Sequence, residues 1–289
     1  MAARLHPDRV QAARQSLQHL VSAAPWSDEA VLAAVVRQAL PAMTRTQPVV
    51  AWIVDDTGIP KKGKHSVGVT RQYCGQLGKQ DNCQVAVTLS LATWEASLPV
   101  AYRLYLPREW AEDRARRRRA GVPEEIEFQT KPEIALDQIA RALDSGLPCG
   151  VVLADAGYGS DTRFRERLAE MGLQYGVGVE GSARELVIET GRGALRRFAW
   201  REGSHRKLQS RFVAVRVRPA HRDYWRAEPH EELWLLAEWP RGAEEPTQYW
   251  LANLPAETTL EELVRLAKHR WIVERDYLEL KQELPAGAF

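Results

Sequence analysis

The stretch VVAWIVDDTGIPKKGKHS, residues 49–66, constrains the fold of this chain more than any other. Val49 to Val54 have the apolar, β-branched and aromatic character of a strand buried on both faces. The strand ends in Asp55 and Asp56, and a loop with Lys61, Lys62, Lys64 and His65 follows. A carboxylate at the end of a buried strand is costly unless a cation, a metal ion or hydrogen-bond donors meet it. Successive side chains of a strand point to opposite faces, so the two aspartates meet different neighbours and one of them has a structural role.

The remaining sequence reads as elements that such a strand would join. Residues 1–46 are helical in pattern, with apolar positions at helical spacing from Asp8 to Val21. Ser27 is placed to cap a second helix, with Asp28 and Glu29 in its first turn and an apolar stripe from Val31 to Leu40. Two packing helices and a DNA-contacting helical region are both open readings of this segment. From residue 49 the pattern becomes that of strands, over 49–56, 67–75, 83–94 and 98–106. A polar stretch over 107–129 carries Arg114, Arg116, Arg117, Arg118 and Arg119. The spacing then predicts a helix over 131–145, a short apolar strand ending at Asp155 and a glycine-rich turn, a helix over 161–171 and a strand over 174–179. Antiparallel strands followed by β-α-β alternation imply a mixed sheet with helices on its faces.

Residues 180–254 read as a β-rich insertion carrying Trp200, Trp225, Trp234, Trp239 and Trp250. The segment after it, to Leu284, reads as one long helix, with Thr258 and Glu261 forming a capping box. Leu260, Leu263, Val264, Ala267, Trp271, Glu274, Leu278 and Lys281 share one face, which places Glu274 on the packing side. An Arg270–Glu274 ion pair at i, i+4 accounts for that glutamate in the plainest way. Taken with the strand-end acids it has a second reading. Asp56, Asp155 and Glu274 together suit a two-metal phosphoryl-transfer site, where hard ions roughly 3.5–4 Å apart are held by carboxylates on rigid elements.

Charge and cysteine usage narrow the setting. The formal net charge of +2, from 40 basic and 38 acidic side chains, gives no bulk attraction to nucleic acid. Local clusters of lysine and arginine can still hold phosphates. Cys74, Cys83 and Cys149 form no C-x-x-C pair, which argues against a disulfide framework and for a reducing cytosol. No secretory signal and no membrane-spanning run is evident, so a cytoplasmic protein is expected.

Three segments carry a family resemblance: DDTG after the first strand, LADAGYG, and HRWIVERDYLELK. The chain resembles bacterial insertion-sequence transposases of the DDE type from about residue 26 to 284. Arg270, Glu274 and Lys281 match the Y-R-E-K signature of one branch, with Ala267 where the signature has tyrosine. The resemblance implies an RNase-H-like mixed sheet flanked by helices, with a β-rich insertion before the last helix. It divides the chain into a helical region 1–46, a first core part 47–179, an insertion 180–254, a catalytic helix 255–284 and a tail 285–289. It implies Asp56, Asp155 and Glu274 as catalytic and metal-binding acids, Asp56 being preferred to Asp55 because threonine follows it directly. Two Mg²⁺ ions, with Mn²⁺ as substitute, would serve cut-and-paste cleavage and strand transfer. The implied partners are double-stranded DNA, as terminal inverted repeats and target, and a second copy in a homodimer, with no membrane. Lys61, Lys62, Lys64, Arg270 and Lys281 are the expected DNA contacts, and Trp250 the candidate for stacking an unpaired base. Relatives continue past KQEL, so a truncated chain is expected, with DNA-binding repression of transposition as the alternative function.

Overall fold

The computed structural model describes residues 3, 6–180, 195–202, 207–218 and 231–283. After a 3₁₀ turn at Pro7–Arg9 come helices α1 (Val10–Ser22) and α2 (Asp28–Met43). Ser27 caps α2 as its sequence position requires, its side chain accepting from the Ala30 amide. Leu40 and Met43 at the far end of α2 pack against the main core.

Among the described residues a ten-stranded sheet organises the rest. Its strands are β1 (Ala51–Pro60), β2 (Thr70–Cys74), β3 (Lys79–Ala92), β4 (Ser97–Leu104), β5 (Val151–Ala154), β6 (Tyr175–Val179), β7 (Arg196–Glu202), β8 (Lys207–Val217), β9 (Leu233–Trp239) and β10 (Gln248–Ala252). β3 pairs antiparallel with β1, β2 and β4, whereas β1, β5 and β6 run parallel side by side. Parallel neighbours need crossovers, and helices supply them. Between β4 and β5 lie α3 (Arg108–Glu112), α4 (Arg114–Arg119) and α5 (Lys131–Asp144); between β5 and β6 lie α6 (Ala156–Gly159) and α7 (Thr162–Glu170). The arginine-rich stretch is thus partly helical, because Asp113 caps α4 and Gly121, at φ 68°, lets the chain turn away. β10 then pairs antiparallel with β6, and β9, β8 and β7 follow outward. The β-rich segment therefore continues the core sheet rather than folding apart from it. The order β4-β3-β1-β5-β6, with its parallel half, is RNase-H-like.

Helices cover both faces of the sheet. On one face Trp52, Val54, Val152 and Ala154 pack against Ile134 and Ile139 of α5 and Phe164 and Leu168 of α7. On the other, Ala51, Ile53 and Leu153 meet Ile272 and Val273. These last belong to α9 (Trp271–Glu283), which follows α8 (Leu260–His269). The expected single helix is thus two, divided at Arg270. Its cap is one residue later than expected: Thr259 accepts from the Glu262 amide, and the Glu262 carboxylate returns the bond. Two overlapping T-x-x-E frames exist in TTLEE, and burial of Leu263 and Val264 selects the second.

Candidate active site

β1 does not end at Asp56 as expected: pairing with β3 carries it on to Pro60, while its parallel pairing with β5 stops at Ile53. Ile53 stands beside Leu153 in the parallel pair. Two residues further along each chain come Asp55 and Asp155, near enough for the Asp155 charge to act on Asp55. Both side chains share the parity of Ile53 and Leu153, which pack toward α9. Asp155 caps α6, accepting from the Gly157 amide at 2.9 Å. The glycines of this turn permit it to lie on β6: a Cβ on Gly159 would meet the Gly178 carbonyl and Val177.

Arg270, at the break between α8 and α9, gathers the acids of this face. It donates to Asp55 Oδ1 at 2.9 Å and to Glu274 Oε1 at 3.3 Å. Burial opposes the charge of Arg270, but Asp55, Asp155 and Glu274 sustain it and raise its pKa. Burial likewise pushes the Asp55 carboxyl up, to about 6; Arg270 works against this, and the charges of Asp155 and Asp56 add to it. Glu274 is not on the packing side as expected. Its side chain is 55% exposed, because the break at Arg270 turns Ile272 and Val273 toward the sheet instead.

Asp56 lies on the opposite face of β1, with Val54 and Trp52. Its carboxylate accepts from Lys131 Nζ at the start of α5 and from the buried Tyr158 hydroxyl of α6. Burial and then the Asp56 charge raise the Tyr158 pKa far above the usual phenol range, so Tyr158 remains a donor. The structure thus brings Asp155 and Glu274 together with Asp55 around one arginine and turns Asp56 away from that arginine. The parity of Ala51 and Ile53 is a sequence signal for Asp55; Lys131 had no signal beyond opening a helix. Among the described residues no three histidine, cysteine or acidic side chains stand in metal-holding geometry. The position between Asp55 and Glu274 is taken by Arg270.

A cavity of about 1070 Å³ opens beside Asp155, Arg270 and Glu274, and Trp200, Trp250 and Lys268 also line it. Lys268 Nζ pairs with the buried Glu238 and stands 4.7 Å from the Trp200 ring and 4.9 Å from the Trp250 ring. The other tryptophans do different work: Trp239 is in the core of the outer strands and Trp234 donates to the Pro255 carbonyl, while Trp225 lies outside the described residues. Lys62 and Lys64 are exposed and Lys61 is half-buried. The side chain of Lys281 lies outside the described residues, although its backbone continues α9.

Comparison with known proteins identifies the family. The family model of the DDE superfamily endonuclease matches residues 1–185, and that of the transposase DDE domain matches residues 130–285. The probable transposase for insertion sequence element IS701 of Microchaete diplosiphon is 34% identical over 170 residues, 58% of this chain and 41% of that protein. The match thus spans less than half the length of that relative. Among solved structures, the piggyBac transposase synaptic complex with hairpin DNA aligns over 86% of this chain and 45% of that one, at 11% identity and a TM-score of 0.43. The NurA nuclease from Sulfolobus solfataricus aligns over 99% of both chains at 8% identity and a TM-score of 0.33. The strand order carries the fold assignment, and the two family matches, each over more than half of the sequence, carry the identity: this chain belongs to the DDE superfamily of endonucleases and bears a transposase DDE domain.

Proposed function

We propose that this chain is the catalytic part of an insertion-sequence transposase. It cleaves DNA at the terminal inverted repeats of its element and joins the freed 3′-OH to a target phosphodiester. The observation that carries the reading is the meeting of Asp55, Asp155 and Glu274 around Arg270, where β5 ends alongside β1 and beside a wide cavity. Asp55 takes the place first expected for Asp56, since only Asp55 shares a face with Glu274. Domain limits at 46, 179, 254 and 284, and a homodimer on paired DNA ends, complete the proposal.

The donor set fits a hard divalent cation such as Mg²⁺ or Mn²⁺. All three groups offer carboxylate oxygen, and two are fixed by strands. Such ions activate the attacking hydroxyl and stabilise the leaving oxygen when bound. Arg270 gives up Asp55 and Glu274 as the acids are loaded, which frees its guanidinium for a bidentate contact with a DNA phosphate. Asp56, held by Lys131 and Tyr158, positions the middle of β1 and the α6 turn. Lys61, Lys62, Lys64 and Lys281 contact the backbone, which positions DNA without reading sequence. Trp250 stacks an unpaired base at the cavity wall. Trp250→Ala is expected to weaken binding of an end with an extrahelical base by roughly 1–3 kcal/mol, read by titration against a fully paired end.

Incubation of this chain with its own element end tests the reading. Metal-dependent nicking that leaves a 3′-OH is expected, and Asp55→Asn should abolish it while DNA binding persists. No nicking at any divalent metal by a folded, DNA-binding chain would refute it.

A further inference from the structure

The arginine-rich helix α4 has no role in the reading above. Of its six residues five are arginine, and a helix so short and so uniformly charged does not form alone. Two of those arginines hold it in place. Arg116 lies 3.7 Å over the ring of the buried Trp110 and donates to the Lys64 carbonyl at 2.9 Å. Arg117 donates to the carbonyls of Ala111, Pro123, Glu124 and Ile126. These bonds also fasten α4 to the lysine loop that follows β1. That loop is pinned from beneath, as Asn82 Nδ2 donates to the carbonyls of Lys61 and Gly63 at 2.8 and 2.7 Å.

What remains outward is cationic. Arg114, Arg118 and Arg119 are exposed, beside the exposed Lys62, Lys64 and His65. Among the described residues no carboxylate forms an ion pair with Arg114, Arg118, Arg119, Lys62 or Lys64. Fixed like charges repel, and a rigid mounting keeps them from spreading apart. A polyanion with regularly spaced charges relieves that repulsion; a single phosphate would reach only part of it.

We infer that α4 and the loop over 61–69 form one composite surface that grips the phosphate backbone of duplex DNA, independently of sequence. The inference rests on the transposase reading and adds to it the course of the DNA. β1 is continuous from Asp55 to Pro60. At about 3.3 Å per residue the loop begins roughly 20 Å from Asp55, the length of about six base pairs. The surface therefore holds DNA about half a helical turn from the phosphate being cut.

The test measures binding of duplexes containing the element end, by fluorescence anisotropy over a range of NaCl concentrations. Replacing Arg114, Arg118 and Arg119 together with glutamine leaves Arg116 and Arg117 to hold the helix. The salt dependence should fall by about two to three phosphate contacts, each worth close to 0.9 in the log–log slope. Lys62→Gln with Lys64→Gln, a second variant away from α4, should lower it by about two. Both differences should vanish on duplexes that extend only about four base pairs to either side of the cleavage position. Slopes equal to those of the unaltered chain on long duplexes, in variants with unchanged circular dichroism and melting temperature, would overturn the inference and leave the transposase reading standing. So would a full difference that persists on the short duplexes. Failure of the unaltered chain to bind any duplex would overturn both together.

Discussion

Asp55 and Asp56 are neighbours in the chain, identical in chemistry, and belong to different environments. On the α9 face Asp55 lies among like charges, with Asp155 and Glu274 and a single arginine between them. On the α5 face Asp56 is met by one ammonium and one phenol. The first face gathers more negative charge than it neutralises and opens to a cavity; the second is closed by Tyr158, a residue only 2% exposed. A surplus of acids is a costly arrangement that a binding site retains, and a matched set of donors is an anchor. Strand alternation alone, 180° per residue, separates the two.

The comparison breaks most easily on activity. Asp55→Asn is expected to lower single-turnover cleavage by about 10⁴-fold, the scale on which one member of a catalytic group acting as a unit is lost. Asp56→Asn, which keeps an acceptor for Tyr158, should cost only about tenfold, as for residues that orient a ligand set. The reverse ranking would make the α5 face the catalytic one.

Stability against pH sharpens the contrast. Without divalent metal, the Asp55 carboxyl titrates at about 6 in the fold, above its ordinary 3.8. Between these values the folded chain holds a proton that the unfolded chain has released. The contribution of this group is therefore fully present below 3.8 and is lost as pH rises through about 6. Urea denaturation of the native chain and of Asp55→Asn should show their difference shifting by roughly 2 kcal/mol toward the variant between pH 4 and pH 7. A difference that stays flat with pH would mean that Asp55 is not held in a buried position that opposes its charge.

The smallest effects belong to the anchoring face. Tyr158→Phe removes the hydroxyl that Asp56 accepts and should cost about 1–2 kcal/mol of stability at every pH from 5 to 8. Lys131→Met breaks a pair whose side chains are 33% and 29% exposed, so a loss of no more than about 1 kcal/mol is expected. Equilibrium denaturation checks both. Loss of activity from Tyr158→Phe without loss of stability would show that this face, too, takes part in the chemistry.

Much of the fold could be read from residue pattern, because local rules decide it. The apolar run at 49–54, the Ser27 cap, the helix from Lys131 and the strands at 151 and 175 each follow from neighbours within one or two turns. The order of strands and helices then leaves few topologies, and the mixed sheet follows. The arginine helix escaped that reading, since part of what holds it, the Lys64 carbonyl met by Arg116, is some fifty residues away in sequence. The union of the outer strands with the core sheet escaped it as well, since pairing of β10 with β6 joins residues some seventy apart.

The sequence by itself determined that two adjacent carboxylates of β1 point opposite ways, and that Asp155 and Glu274 lie on elements able to approach them. Only the tertiary structure decided which aspartate faces Glu274. That depends on the face on which α8 and α9 pack, on the register that sets Ile53 beside Leu153, and on the break at Arg270 that rolls Ile272 and Val273 inward and Glu274 outward. Period gives the angle between neighbouring side chains along one element. It does not give the rotation of one element against another, which is settled by whichever packing buries the most apolar surface and leaves the fewest charges unmatched.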